Sequence, residues 1–297
     1  MQQINDFEQD IEIRCYSQRT KKSYLFHIKK FLRYYHNDLR QENILRHLNY
    51  LKNKGYSPAS LSVARAALIY FFTHILKKPI TINIPVPKRK QSIPKVVDKA
   101  IIIKLIQATK NLKHRTLIEL LYSSGTRLEE THKLKWEDVD LVNRLVKVVN
   151  GKGSKERLTI LSVGIINHLL DLQAQCPKNN PYVFFSSQRP DTYISSKTVQ
   201  KVIENSCRKA QIQTKVTPHV LRHSFATHLL EDGVDIRYIQ ALLGHSSIKT
   251  TQCYTRVAKT NIVKIKSPLD TLDLTENQNV KTNDDYSESK VKTNGEA

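Results

Sequence analysis

Side chains suited to chemistry at a phosphodiester crowd near the C-terminal end of this chain. His219 and Arg222 lie in Pro218-His219-Val220-Leu221-Arg222-His223, His245 ends Leu242-Leu243-Gly244-His245, and Tyr254 opens Tyr254-Thr255-Arg256. Guanidiniums grip phosphate oxygens in fork geometry, imidazole moves protons near neutral pH, and a phenol can attack phosphorus. Local signals position them. Thr217-Pro218 predicts a helix start, with a capping hydroxyl and proline at the first helical position, so His219 and Arg222 share one face. Gly244 ends the apolar run Tyr238 to Leu243. Ser246 or Ser247 can cap a further helix, placing Tyr254 about two turns into it.

His-x-x-Arg, the Leu-Gly-His box and Tyr-Thr-Arg together resemble the signature of the tyrosine recombinase (phage integrase) family, most closely its Xer-type members. The resemblance implies another arginine upstream in a Gly-x-Arg-x-x-Glu setting, and Gly125-Thr126-Arg127-Leu128-Glu129-Glu130 supplies it. It also implies a lysine at a hairpin tip, supplied by Gly151-Lys152-Gly153-Ser154-Lys155-Glu156-Arg157. Each motif alone is weak. In this order and spacing they are strong together, and the resemblance covers roughly residues 18 to 270.

Each residue also has a plainer reading. Tyr254 can be an ordinary core or surface tyrosine, and its place after the His245 box is what singles it out. Arg127 and Glu130 can form a simple i, i+3 ion pair; in the family the arginine contacts the scissile phosphate and the acid supports it, and both can hold together. Lys152 can be a solvated turn lysine, with Lys155 its rival in register. His219 can merely cap its helix, and structural or solvent roles suit His223 and His228. No H-E-x-x-H or paired-cysteine spacing suggests a metal site.

The mechanism implied by the resemblance uses no cofactor. Arg127, Arg222 and His245 stabilise the pentavalent phosphate, Tyr254 forms a 3′-phosphotyrosine, His219 assists proton transfer and Lys152 protonates the departing 5′ oxygen. Implied partners are double-stranded DNA and three further copies of the chain, a homotetramer on two paired sites. Implied roles are Xer-type chromosome or plasmid dimer resolution, or DNA integration. A nicking-closing enzyme of the type IB topoisomerase kind is the alternative with the same chemistry, and a binding module without catalysis is the alternative from another class. Xer-like spacing argues against the first, and intact candidate positions against the second.

Composition agrees independently. The chain has 297 residues, 39% of them hydrophobic, and a formal charge of +21. Residues 1 to 91 carry 17 Lys/Arg against 6 Asp/Glu, residues 92 to 269 carry 28 against 14, and the tail carries 3 against 7. Two basic halves suit a clamp on a polyanion. Cys15, Cys176, Cys207 and Cys253 lack a disulfide framework, and neither a signal core nor an apolar span is visible, so a cytoplasmic location is expected.

In chain order, Ser17 to His36, Gln41 to Lys54 and Pro58 to about Leu76 read as amphipathic helices, a bundle resembling the core-binding, SAM-like domain of recombinases (residues 1–90). A proline-rich basic stretch, Lys77 to Pro94, reads as an extended, solvated linker. The catalytic domain (91–270) is expected to be mostly helical with a small antiparallel sheet, the DNA breaking-rejoining fold implied by the family. Asp98 to Thr109, capped by Asp98, then His114 to Ser123, Val163 to Gln175, Ser196 to Ala210, Val220 to Glu231, Ile236 to Leu243 and Ser247 to Tyr254 read as helices. Arg144 to Val149 and Arg157 to Leu161 read as a hairpin, and Tyr182 to Phe185 as a short strand. The segment Ile262 to Leu269 must dock in cis or in trans through Ile262, Ile265 and Leu269. The acidic end, 271–297, reads as disordered.

Overall fold

The computed structural model describes residues 2–36, 38–86, 94–149, 156–189, 191–245 and 247–256. Lys152, Lys155, Ile262, Ile265, Leu269 and the acidic tail lie outside them. The chain separates into two compact units, Met1–Ser92 and Ile93–Ala297.

The first unit is helical: α1 (Gln2–Ile13), α2 (Gln18–Tyr35), α3 (Glu42–Asn53) and α4 (Pro58–Tyr70), the last continuing into a wider π-helical turn at Phe71–Ile75. Ser17 and Ser57 cap α2 and α4, accepting from the Thr20 and Ser60 amides at 3.1 and 3.2 Å. Phe7, Ile11, Ile28, Phe31, Ile44, Leu68, Phe71 and Phe72 form the core. The sequence reading overlooks α1, whose Phe7 and Ile11 stand one turn apart and are both buried. Phe26, an apolar residue of α2, is nevertheless 55% exposed.

The expected solvated linker is only partly so. Ile80, Ile82 and Ile84 pack against this core. Arg65 Nε donates to the Ile84 carbonyl at 2.9 Å, and Gln41 Oε1 accepts from the Thr81 amide at 2.8 Å. Alternate isoleucines between prolines bury one edge of an extended strand-like segment, which composition alone does not register.

The second unit places helices around a three-stranded antiparallel sheet of order β1-β2-β3, with β1 Val139–Asp140, β2 Leu145–Val148 and β3 Arg157–Ile160. Val148 pairs with Arg157 and Leu145 with Ile160. Asp98 precedes α5 (Lys99–Gln107) in extended conformation but makes no side-chain capping bond, contrary to expectation. Then come α6 (Leu112–Ser124), capped by Asn111, and the short α7 (Leu128–Thr131). A 3₁₀ turn leads into α8 (Ile166–Ala174). Tyr182 to Phe185 is not a strand. Its ends make isolated bridges to Lys135 and Tyr193, and no ladder joins them.

Next follow α9 (Ser196–Lys209), α10 (Pro218–Glu231) and α11 (Ile236–Leu243). Beyond them α12 (Ile248–Thr251) runs into a 3₁₀ turn over Gln252–Arg256, where one helix was expected. Thr217 caps α10 through the Val220 amide at 3.2 Å with Pro218 in its first turn, as its residues predict. Nearly every position from Val220 to His228 is buried, so α10 is the central post of the site.

Candidate active site

The candidate site begins where two helices end. Gly125 closes α6 and Gly244 closes α11, both left-handed, at φ +60° and +62°. The last carbonyls of a helix have no partner within it and carry the negative end of its dipole. Arg222, projecting from α10, reaches both: Nη1 donates to the Gly125 carbonyl at 2.5 Å and Nη2 to the Leu243 carbonyl at 2.6 Å. Burial, followed by the nearby Arg127 charge, lowers this guanidinium to about 10, so it remains a cation at neutral pH.

Arg127 occupies the position before α7. Its side chain donates from Nη1 to Glu130 Oε1 at 2.8 Å, and its amide donates to Glu130 Oε2 at 2.7 Å. Arg127 Nη2 also reaches the Gly244 carbonyl at 3.5 Å. Glu130 is shared. Arg157, first residue of β3, grips it with two parallel bonds of 2.9 and 2.6 Å while its Nε donates to the Leu242 carbonyl at 2.8 Å. Burial pushes the Glu130 carboxyl up, but the bonds from Arg157 and from the Arg127 amide and side chain outweigh it and hold it at about 2. Three guanidiniums thus converge on the end of α11 with one carboxylate among them.

His245 follows Gly244. Its Nε2 lies 3.2 Å from Arg222 Nη2 and its Nδ1 lies 2.9 Å from Thr251 Oγ1. A guanidinium only donates, so Nε2 is the acceptor and Nδ1 carries the proton toward Thr251. Burial, then the Arg222, Arg127 and Arg157 charges, hold His245 down at about 4. Tyr254 is 2% exposed, packed with Phe225, Ala226, Ile239 and Leu243, its ring stacked on His245 at 6.4 Å between centroids. Burial pushes its phenol up to about 12.

Of the residues singled out in the sequence, Arg127, Glu130, Arg222, His245 and Tyr254 come together. His219, exposed on the first turn of α10, is close enough to His223 on the same helix for its charge to act on it, and it also borders a groove of ≈ 860 Å³ lined by Leu128, Gln200, Arg208 and Lys215. Two participants were not picked out. Arg157 lies inside the quoted glycine-lysine motif, but only its pairing to Glu130, 27 residues away, reveals it. His223 Nδ1 lies 3.0 Å from Tyr254 Oη, a contact between α10 and the final turn that spacing does not predict. His228, read as structural, hydrogen-bonds Tyr122 at 2.9 Å, away from this cluster.

The model of the phage integrase family matches residues 95–261, and that of its N-terminal SAM-like domain matches residues 4–82. The chain belongs to the phage integrase family. It is a site-specific tyrosine recombinase. It is 35% identical to tyrosine recombinase XerA of Pyrococcus furiosus over 86% of this chain and 89% of the relative. To tyrosine recombinase XerD of Staphylococcus saprophyticus it is 36% identical over 73% of this chain and 78% of the relative. A crystal structure of XerA recombinase shares 34% identity and a TM-score of 0.52, covering 86% of this chain and 92% of that one. The fold is shared more widely: a XerH recombinase bound to a palindromic difH substrate, at 24% identity, gives a TM-score of 0.67 over 80% and 76% of the two chains.

Proposed function

We propose that this chain breaks and rejoins duplex DNA through a 3′-phosphotyrosine at Tyr254, with Arg127, Arg222 and His245 around the scissile phosphate. The observation that carries the reading is the convergence of three guanidiniums on one corner with, among the described residues, Glu130 alone bonded to them as a carboxylate, beside a buried phenol. An anion arriving there offsets part of the excess positive charge, and the remaining oriented donors stabilise the further charge that builds up on a pentavalent phosphorane. The arriving phosphate also opposes the guanidinium charges that, after burial, hold His245 neutral. Its negative charge favours the imidazolium, which can then donate to a phosphate oxygen. Lys152 serves as acid to the departing 5′ oxygen. The ester energy is kept in the phosphotyrosine, so rejoining needs no nucleotide.

In this reading the first unit, 1–90, and the catalytic domain, 91–270, each carry part of the positive charge that holds DNA. Four copies act on two paired sites in the cytoplasm, resolving dimers or integrating DNA. The test is Tyr254→Phe, which removes one oxygen. On a nicked suicide substrate, wild-type protein is expected to become attached to a 3′ end, and the variant to bind DNA without attaching. Covalent adduct formed by the purified variant, or attachment to a 5′ end, would refute the reading.

A further inference from the structure

Among the described residues, the phenol of Tyr254 hydrogen-bonds neither of the histidines that the motifs single out. Its partner is His223 Nδ1, 3.0 Å from the oxygen that must attack phosphorus. His219 is exposed on the first turn of α10, and His245 commits its two nitrogens to Arg222 and Thr251. His223 is only partly buried, so its ring can pass a proton on to solvent.

The groups facing His223 are His219 and Arg222 on its own helix, His245 beyond α11 and Tyr254 in the final turn. Burial, then the charges of His219 and Arg222, lower His223 below the usual histidine range, so at pH 7 it is neutral, and in the tautomer with its proton on Nε2 it accepts the phenol's hydrogen bond through Nδ1. Tyr254, pushed up to about 12, leaves phenolate in a fraction on the order of 10⁻⁵ at pH 7. An attack that waited for free phenolate would be slow. A base already bonded to the hydroxyl removes that barrier by taking the proton as the new bond forms.

We infer that His223 is the proton acceptor for Tyr254. As the bond from Tyr254 Oη to phosphorus forms and the bond from phosphorus to the 5′ oxygen breaks, the phenolic proton passes to His223 Nδ1. The 5′ oxygen takes its proton from the acid, Lys152. In rejoining, the 5′ hydroxyl returns its proton to the lysine while His223 returns the other to the departing phenolate. The inference rests on the recombinase reading and adds a catalytic residue to it.

The test is His223→Asn, whose Oδ1 can accept the phenol's hydrogen bond but cannot take its proton. Covalent attachment to a nicked suicide substrate is timed from pH 6 to 9, with single-site DNA binding and the thermal midpoint as checks on folding. The variant is expected to be about 10²–10³-fold slower at pH 7, with the gap closing as hydroxide substitutes for the base. Rates within threefold of wild type, or faster, would overturn the inference, as would a deficit equal at every pH, which would mean His223 only places the ring. If the asparagine variant does not fold, His223→Ala with added imidazole replaces it: recovery supports the assignment and failure to recover overturns it. Wild-type protein that binds DNA and forms no adduct would overturn the recombinase reading and this inference together.

Discussion

Replacing Glu130 by glutamine tests the charge balance of the site directly. The carboxylate is 6% exposed and accepts four hydrogen bonds, two from Arg157 and two from Arg127. Its folded value of about 2 against an ordinary 4.5 is a difference of about 2.5 units, or about 3 kcal/mol of stability in favour of the charged, bonded form. Because the folded value is depressed, this stability is fully present above about pH 4.5 and is lost as pH falls toward 2. Glutamine keeps the shape, loses the charge, and turns an amide donor toward guanidinium donors. Breaking one side of a buried ion pair costs about 3–5 kcal/mol, so Glu130→Gln is expected to lose that much at pH 7 in urea unfolding with an unchanged slope.

Two further readouts separate this account from generic core damage. The difference between wild type and variant should shrink between pH 4.5 and pH 3, as this carboxyl takes up a proton in the unfolded wild-type chain while the folded one stays charged. Adding Arg157→Met should cost less than the sum of the single changes, by about 1–3 kcal/mol, since the two share one interaction. Arg127 loses its Nη1 tether, so adduct formation should also slow by about 10²-fold at saturating DNA. A loss below 1 kcal/mol, a pH-independent difference or strict additivity would refute the reasoning.

Two other predictions concern groups far apart in the chain. Lys152→Ala should slow cleavage of normal DNA strongly and recover on a substrate whose 5′ bridging oxygen is sulfur, while Arg127→Ala should not; recovery with Lys155→Ala instead would move the acid to Lys155. In the first unit, His47 is 1% exposed, neither ring nitrogen has a hydrogen-bond partner among the described residues, and burial, then the Lys30 and His27 charges, hold it at about 4. Its neutral form is the one that folds, so up to about 3 kcal/mol is lost as pH falls from 6.5 to 4; His47→Leu should flatten thermal midpoints over that range, and an unchanged acid slope would exclude this cause.

Most of the helices were legible because their apolar residues recur at helical spacing and serine, threonine, proline and glycine mark their ends. The failures share a physical cause. The helix α1 buries only two side chains, Phe7 and Ile11, too few to write a period. The strand expected over Tyr182 to Phe185 has the right residues but bridges two different partners, and ladders are decided by what lies alongside. The isoleucines after α4 look like linker until the first unit's core is there to cover them. In the candidate site the residue types were legible and their bonding was not. Arg127 and Glu130 are neighbours on one helix turn, so sequence shows them as a pair. Arg157 and His223 acquire meaning only when β3 and α10 bring them to Glu130 and Tyr254.

The Leu-Gly-His box shows how one corner can serve both folding and the proposed chemistry. Gly244 takes a left-handed conformation, and a Cβ there would stand 2.6 Å from Arg157 Cδ, so the position excludes side chains by backbone and by contact. That close approach lets the end of α11 offer three successive carbonyls, from Leu242, Leu243 and Gly244, to Arg157, Arg222 and Arg127 respectively. Carbonyl dipoles orient guanidiniums without neutralising them, whereas a second carboxylate would cancel the charge that a phosphate needs to find. The arrangement therefore holds three cations in place at the cost of one buried acid. In the proposed reaction its excess positive charge would meet the negative charge that a phosphodiester acquires on its way to the phosphotyrosine.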